Sequence, residues 1–169
     1  ALALYFGART VFRRGRLSEI LLVYLFVALA TLTKGLIGVV LPGLILGGFI
    51  LVRRDWLLLA RLKLHWGVAI FFVVAVPWFY VVNQLTDGKW LAEFIYIHHI
   101  QRYTAGTGHR QPVYYYVTTL PRDFLPWTFF IIPALFAYRP LRSKLGDPVV
   151  QFFLVWFSAV FLFFSLSNT

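Results

Sequence analysis

The chain reads LIGVVLPGLILGGFILV from Leu36 to Val52 and GVAIFFVVAVPWFYVV from Gly67 to Val82, with no charged residue in either stretch. An α-helix needs about 20 apolar residues to cross the hydrocarbon core of a bilayer. Both stretches come close to that length, and other apolar stretches flank them. Together they predict an all-α fold, a polytopic transmembrane helical bundle of about five to six spans.

The composition places the whole sequence in the membrane class. Of the 169 residues, 60% are hydrophobic and 20% aromatic, which exceeds the apolar share of an ordinary soluble domain. The absence of cysteine excludes disulfides, thiolate metal sites and cysteine nucleophiles. The sequence also has no methionine, and both ends lie in or beside apolar stretches. We therefore expect residues 1–169 to form one transmembrane domain that is a fragment of a longer protein.

Basic residues predict the orientation of this domain. Eleven of the 16 Lys and Arg residues fall in three short clusters, and lysine and arginine concentrate in cytoplasmic loops. We therefore expect the clusters to face the cytoplasm and residues 83–114 to form an extracytoplasmic loop. Membrane orientation explains the net charge of +10 without a nucleic-acid partner. The clusters are Arg9, Arg13, Arg14 and Arg16; Arg53, Arg54, Arg61 and Lys63; and Arg139, Arg142 and Lys144.

The positions of caps, prolines and polar residues predict the helices. Ser18 is the expected N-cap of the second helix, with Glu19 in its first turn. In the extracytoplasmic loop, an apolar stripe with interspersed polar residues indicates an amphipathic helix along the membrane surface over Trp90–Tyr103. The predicted membrane helices are Ala1–Phe12, Ser18–Thr33, Leu36–Val52, Leu64–Val82, Tyr115–Tyr138 and Val149–Ser165.

The segment from Asn83 to Arg122 collects most of the polar chemistry. Three of the four histidines lie there, together with several arginines and acidic residues. On a helix, Arg102 would neighbour both His98 and His99, because residues three and four apart share a face. Cations, imidazoles and tyrosines outside the bilayer indicate a site for an anion at the membrane surface.

A series of short motifs follows the predicted helices along the chain. They are Thr33-Lys34-Gly35, Pro42, Arg53–Trp56, Pro77-Trp78, His99–Arg102, His109–Tyr116, Pro126-Trp127 and Phe163–Ser167. In this order and spacing the sequence resembles the membrane domain of the lipid A aminoarabinose transferases and the related protein mannosyltransferases, which are GT-C fold glycosyltransferases. The resemblance spans nearly the whole chain.

The resemblance implies an activity and a set of site residues. Such enzymes move a sugar from a polyprenyl-phosphate carrier to a lipid or protein acceptor on the extracytoplasmic face. The cations placed for the donor phosphate are Lys34, Arg102 and Arg110, with Arg102 preferred because a guanidinium contacts two phosphate oxygens at once. The donor cavity would include His109, Tyr114, Tyr115 and Tyr116.

A divalent metal, zinc or a similar ion, is also implied by the resemblance, and His99 is its expected ligand. A zinc site usually needs three or four ligands, so one histidine does not complete it. His98 stands where the family usually has a carboxylate, which weakens a metal role for it. The essential aspartate of the family lies in a loop upstream, so the catalytic residue is unknown here and we expect the isolated fragment to be inactive.

Each site residue also has a purely structural interpretation. Lys34 would then reach lipid headgroups from a membrane helix, and Arg102 would do the same from the surface helix. His99 would be an ordinary interfacial histidine. Tyr114–Tyr116 would belong to the aromatic belt that membrane proteins place at the bilayer boundary.

A transporter or flippase for anionic lipids or solutes is the alternative function. The prolines within the helices would suit the discontinuous helices of such proteins. Transporters, however, usually keep charged groups at mid-membrane, and here the middle of each span lacks them. A subunit without chemistry would leave the loop's histidines and arginines unexplained. We therefore favour the glycosyltransferase, in a bacterial inner membrane and in contact with membrane lipids.

Overall fold

A computed structural model describes residues 1–13, 15–101, 112, 114–137 and 144–166. Within these ranges every regular element is a helix. The chain divides into two compact units, residues 1–99 and residues 100–169, each with its own internal packing.

The first unit is built around its second helix. Helix α2 packs against α1 on one side and against α3 and α5 on others. Buried side chains of α2 and α3, among them Val23, Ala28, Ile45 and Phe49, form the core. The helices of this unit are α1 (Leu2–Arg13), α2 (Leu17–Lys34), α3 (Ile37–Arg53), α4 (Leu57–Leu62), α5 (Leu64–Val74), α6 (Val76–Leu85) and α7 (Lys89–Ile95).

Two glycines allow α3 to pack directly on α2. Gly35 ends α2 at φ 73° and ψ −158°, a conformation that only glycine adopts readily. At Gly38, a β-carbon would lie 2.5 Å from the backbone carbonyl carbon of Ala30 and the backbone nitrogen of Thr31. The two helices therefore touch backbone to backbone, as small residues permit in membrane helix pairs.

Helix α2 is also tied to the α4–α5 segment. The Tyr24 hydroxyl donates a hydrogen bond to the Leu62 carbonyl at 2.6 Å. The ring of Tyr24 fills the space beside Gly67, where any β-carbon would overlap it. A tyrosine on α2 thus fits against a glycine on α5 and accounts for their close approach.

The start of α2 differs from the prediction. The helix begins at Leu17, with Arg16 rather than Ser18 at the N-cap. The Arg16 backbone N–H donates to Glu19 Oε2 at 3.2 Å, while Glu19 Oε1 lies 2.6 Å from Nη2 of Arg9 on α1. Glu19 therefore caps α2 from within its first turn and pairs α2 with α1.

The predicted helix Leu64–Val82 belongs to a longer apolar segment, Leu57–Leu85, that comprises α4, α5 and α6. Lys63 interrupts it with a left-handed backbone, φ 47°. Near Ala75 the helix is interrupted again, because Pro77 has no N–H to donate to the preceding turn.

The second unit contains α8 (Tyr115–Asp123), α9 (Thr128–Ala137) and α10 (Pro148–Ser165). The predicted continuous helix Tyr115–Tyr138 is therefore wrong in its middle, where a turn separates α8 from α9. Pro126 lies in that turn and cannot donate a helical hydrogen bond. Helix α10 begins at Pro148, one residue before the predicted start, with the Asp147 carboxylate accepting the Val149 N–H at 2.7 Å.

In the described part of the chain, three segments are long and apolar enough to span a membrane: Leu17–Lys34, Leu57–Leu85 and Pro148–Ser165. Helix α3, Ile37–Arg53, is apolar but shorter, at 17 residues. The count of about five to six spans remains a prediction.

The first two basic clusters lie at one end of the first unit. Residues of the first cluster's segment, such as Thr10 and Gly15, line one pocket together with Arg61 and Lys63 of the second. We call this the basic end. At the opposite end Leu36, which follows the α2–α3 turn, lines a cavity with Asn83 of α6. Because successive helices run in alternating directions, the segments that hold the first two basic clusters come to the same end of the first unit. The predicted orientation, with these clusters on one side of the membrane, requires this arrangement.

The backbone contact at Gly38 leads to a stability prediction. Gly38→Ala would force α2 and α3 apart, and overpacking of this kind typically costs about 1–3 kcal/mol. Gly43→Ala on the same helix is the control, because a β-carbon there meets nothing within 4 Å. Thermal unfolding of the full-length protein in detergent should show a lowered Tm for the first variant alone. An equal loss in both variants would contradict the proposed helix contact.

Candidate functional site

Lys34 is the last residue of α2 and is exposed. Helix α2 has 18 residues and is therefore about 27 Å long, slightly less than the hydrocarbon core of a bilayer. Its first residue lies at the basic end, so Lys34 falls near the opposite boundary of the membrane. The Gly35 N–H donates to the Thr31 carbonyl at 2.9 Å, so the turn that carries Lys34 is closed by the backbone.

Helix α7 is held against α6 by three aromatic rings. Trp90 and Phe94 of α7 stack at 4.7 Å between ring centroids, and Phe79 of α6 lies 5.8 Å and 5.4 Å from them. The turn between the helices uses positive φ at Asp87 (51°) and Gly88 (79°). These contacts fix the direction in which the chain leaves α7 toward the histidines.

A cavity of about 330 Å³ lies between the Lys34 turn and α7. Its lining includes Leu36 from the turn, Asn83 from α6 and Leu91 from α7. The side-chain oxygen of Asn83 is buried and has no hydrogen-bond partner among the described residues. The structure thus brings the Lys34 turn and the start of the histidine segment to the same end of the first unit.

Of the predicted amphipathic helix Trp90–Tyr103, residues 90–101 are described and are helical in two parts, and the last two residues lie outside the described part of the chain. After α7 the chain continues as a π-helix from Tyr96 to Gln101, which contains His98 and His99. A π-helix has wider turns than an α-helix, with backbone hydrogen bonds between residues five apart. Short π-helical turns are frequent at functional sites.

Several site predictions lie outside the described residues. These are Arg102, His109 and Arg110, together with the side chains of His98 and His99. The roles predicted for them remain predictions.

Tyr114, Tyr115 and Tyr116 lie at the start of α8 in the second unit. Tyr114 is exposed, whereas Tyr115 and Tyr116 are half-buried and meet edge to face at 5.3 Å. The Tyr115 carbonyl accepts the hydroxyls of Thr118 and Thr119, at 2.9 Å and 2.8 Å. The turn is thus well ordered by hydrogen bonds, and a role of its rings in the donor cavity remains a prediction.

A metal centre is not assembled by the part of the chain that the structure describes. No group of three or more His, Cys, Asp or Glu side chains comes together there. Since zinc usually takes three or four protein ligands, these residues do not fit such a site on their own. The prediction of a metal at His99 stays a prediction.

Sequence reasoning missed two features of this end of the molecule: the aromatic contact of Phe79, and the buried side-chain oxygen of Asn83, which has no hydrogen-bond partner among the described residues. Phe79 lies within the long apolar stretch Gly67–Val82, so the sequence does not distinguish it from its apolar neighbours. Asn83 was noted only as the boundary of the polar segment, although a polar side chain directly after a membrane helix is a signal for such a position.

No family model matches the sequence. The sequence is 30% identical over 145 residues to the undecaprenyl phosphate-alpha-4-amino-4-deoxy-L-arabinose arabinosyl transferase of Shewanella sediminis. This match covers 85% of the present chain and 26% of that protein. The transferase of the same name from Pseudomonas paraeruginosa is 30% identical over 171 residues, or 98% of this chain and 30% of that protein.

A solved structure matches as well. ArnT from Cupriavidus metallidurans, in its crystal structure bound to undecaprenyl phosphate, superimposes with a TM-score of 0.81 and 33% identity. The match covers 99% of this chain and 30% of that protein. The apo structure of the same protein gives a TM-score of 0.75.

These matches confirm the predicted all-α membrane fold and the resemblance drawn from the motifs. The chain spans between 26% and 30% of the length of these relatives. It is therefore related, in sequence and in fold, to one membrane segment of the undecaprenyl phosphate-aminoarabinose transferases, which are GT-C fold glycosyltransferases.

Proposed function

We propose that the full-length protein is a glycosyltransferase that moves a sugar from a polyprenyl-phosphate donor to a lipid acceptor on the extracytoplasmic face of a bacterial inner membrane. The observation that carries the proposal is the superposition on a transferase solved with undecaprenyl phosphate, at 33% identity over 99% of the chain. The relatives' names point to aminoarabinose as the sugar, and the resemblance points to lipid A as the acceptor.

Lys34 is the described residue best placed to meet the donor phosphate. It is exposed, it ends a membrane helix at the end opposite the basic clusters, and its turn is closed by backbone hydrogen bonds. A lysine at the membrane boundary contacts lipid phosphates readily as a compact positive charge. Arg102 and Arg110 are proposed to share this role, and His109 and Tyr114–Tyr116 to line the donor cavity.

A cation beside the phosphate also has a chemical consequence. Transfer breaks the bond between the anomeric carbon and the phosphate oxygen, so negative charge develops on the departing phosphate. A positive group held in place before the reaction stabilises the transition state, in which this charge develops, more than it stabilises the bound substrate. Lys34 and Arg102 would therefore lower the barrier to transfer as well as bind the donor. The catalytic base is expected outside these residues, as the resemblance implies.

Two narrower ideas have less support. A transporter role agrees poorly with relatives that bear transferase names. A protein acceptor rests only on the resemblance to mannosyltransferases, so we propose the lipid acceptor. A divalent metal near His99 remains a separate proposal, and no step above depends on it.

The function is tested by transfer in a reconstituted membrane. Full-length protein in proteoliposomes would receive undecaprenyl phosphate-linked 4-amino-4-deoxyarabinose and lipid A, and the products would be analysed by mass spectrometry. We expect lipid A with one added aminoarabinose. Donor that is moved between leaflets without being consumed would instead support the transporter.

Replacement of Lys34 tests whether this residue binds the donor phosphate or only contacts lipid headgroups at the membrane surface. Lys34→Gln should lower the affinity for undecaprenyl phosphate and the transfer rate, because a charge-assisted contact is typically worth about 1.5–3 kcal/mol, or roughly ten- to a hundredfold. Lys89→Gln is the control, since Lys89 is an exposed lysine at the start of α7, within the predicted loop 83–114. Equal behaviour of the two variants would leave Lys34 with a purely structural role.

Arg102→Ala is a second test of the phosphate site. Native mass spectrometry of the full-length protein with undecaprenyl phosphate should show a loss of affinity in the same range, roughly ten- to a hundredfold. Equal lipid binding by the wild type and the variant would remove Arg102 from the site.

A further inference from the structure

A polar pocket lies at the basic end of the first unit, away from the proposed transfer site. It has a volume of about 310 Å³ and is lined by Thr10, Gly15, Leu17, Ile20, Arg61 and Lys63. Ile20 and Lys34 are 14 residues apart on α2, which corresponds to about 21 Å along the helix axis. The pocket is therefore too far from Lys34 to bind the same phosphate as that lysine.

The charge around this pocket is strongly positive. Within residues 9–19 and 53–63, the described residues include two acids, Glu19 and Asp55. Glu19 already engages Arg9 and the Arg16 N–H, and its side chain is only 14% exposed. Asp55 directly follows two arginines in sequence. The described cations of these segments are Arg9, Arg13, Arg16, Arg53, Arg54, Arg61 and Lys63.

Arg61 and Lys63 are the two cations that line the pocket. No ion pair of either side chain with a described carboxylate is found. The left-handed backbone of Lys63 ends α4 and begins α5, so both cations lie at a defined bend of the chain. Two positive groups on one short bend can contact the same phosphate.

An apolar groove begins beside the same bend. Leu62 stands between Arg61 and Lys63 and lines a groove of about 510 Å³. The groove runs between α2, α3 and α5, and its lining also includes Tyr24, Pro42 and Phe72. On α2, Ile20 lines the pocket and Val23 lines the groove, less than one helical turn farther along. A polar cationic pocket and an apolar groove thus adjoin one another.

We propose that this composite site binds one anionic glycerophospholipid, with its phosphate at Arg61 and Lys63 and an acyl chain along the groove. A free phosphate would not use the groove, and an uncharged lipid would not use the cations. Basic pockets between membrane helices are suited to anionic headgroups, whose charge they neutralise at the membrane surface. The lipid would fill the space between α2, α3 and α5 and hold the α4–α5 bend. The proposal does not depend on the transferase activity.

The test compares two double variants with the same change in charge. Arg61→Gln/Lys63→Gln removes the pocket cations, and Arg13→Gln/Arg54→Gln removes two exposed cations of the same end that do not line the pocket. Full-length protein in detergent would be titrated with phosphatidylglycerol and followed by native mass spectrometry. Circular dichroism and thermal unfolding would show that each variant is folded.

We expect the wild type and the control variant to bind one phosphatidylglycerol saturably. The pocket variant should bind it roughly tenfold or more weakly, as for the loss of charge-assisted contacts. Equal weakening in both variants, or no saturable binding by the wild type, would overturn the proposal. Displacement of the lipid by inorganic phosphate at similar concentration would overturn the assignment to a lipid and indicate a site for free phosphate.

Discussion

The backbone contact between α2 and α3 is the constraint on which the first unit depends. In a bilayer the hydrophobic effect does not draw helices together, so their association depends on van der Waals packing, which small residues make closer, and on hydrogen bonds between helices. Gly38 lets α3 lie against the backbone of Ala30 and Thr31, and Gly35 supplies the turn that precedes it. The same two glycines place Lys34 at the end of α2, so the packing of the fold and the position of the candidate phosphate ligand have one cause.

The other side of α2 organises the opposite end. Tyr24 fits beside Gly67 and donates to the Leu62 carbonyl, which fixes the α4–α5 bend next to α2. Arg61 and Lys63 belong to that bend, and Glu19 nearby is already paired with Arg9. One central helix therefore carries Lys34 at one end and adjoins, at the other, the cations Arg61 and Lys63, for which no ion pair with a described carboxylate is found. Both ends suit phosphate-bearing lipids, although only the Lys34 end is proposed to take part in sugar transfer.

Three of the motifs noted in the sequence lie where a helix is interrupted or changes its winding. The Pro77-Trp78 motif begins α6 after the interruption near Ala75, and the Pro126-Trp127 motif lies in the turn between α8 and α9. The His99–Arg102 motif starts within the π-helix. In a membrane, backbone groups freed by such irregularities must find partners in the protein or in water, so irregular backbone is tolerated where it is buried in protein or lines a water-filled cavity. These three motifs therefore mark positions of altered backbone as well as particular side chains.

The sequence by itself determined the membrane class, the helical fold and most helix positions, because long apolar stretches have few alternatives in a bilayer. Its motifs also indicated the relationship to the transferases. The tertiary structure alone decided that the first two basic clusters adjoin one pocket, that Phe79 stacks with Trp90 and Phe94, and that Asn83 faces a cavity near the Lys34 turn. It also showed that residues 90–101 change from α-helical to π-helical winding, and that a turn divides the predicted continuous helix Tyr115–Tyr138. Apolar periodicity reports which residues avoid water, whereas the partners of a side chain and the winding of a helix depend on contacts between segments distant in sequence.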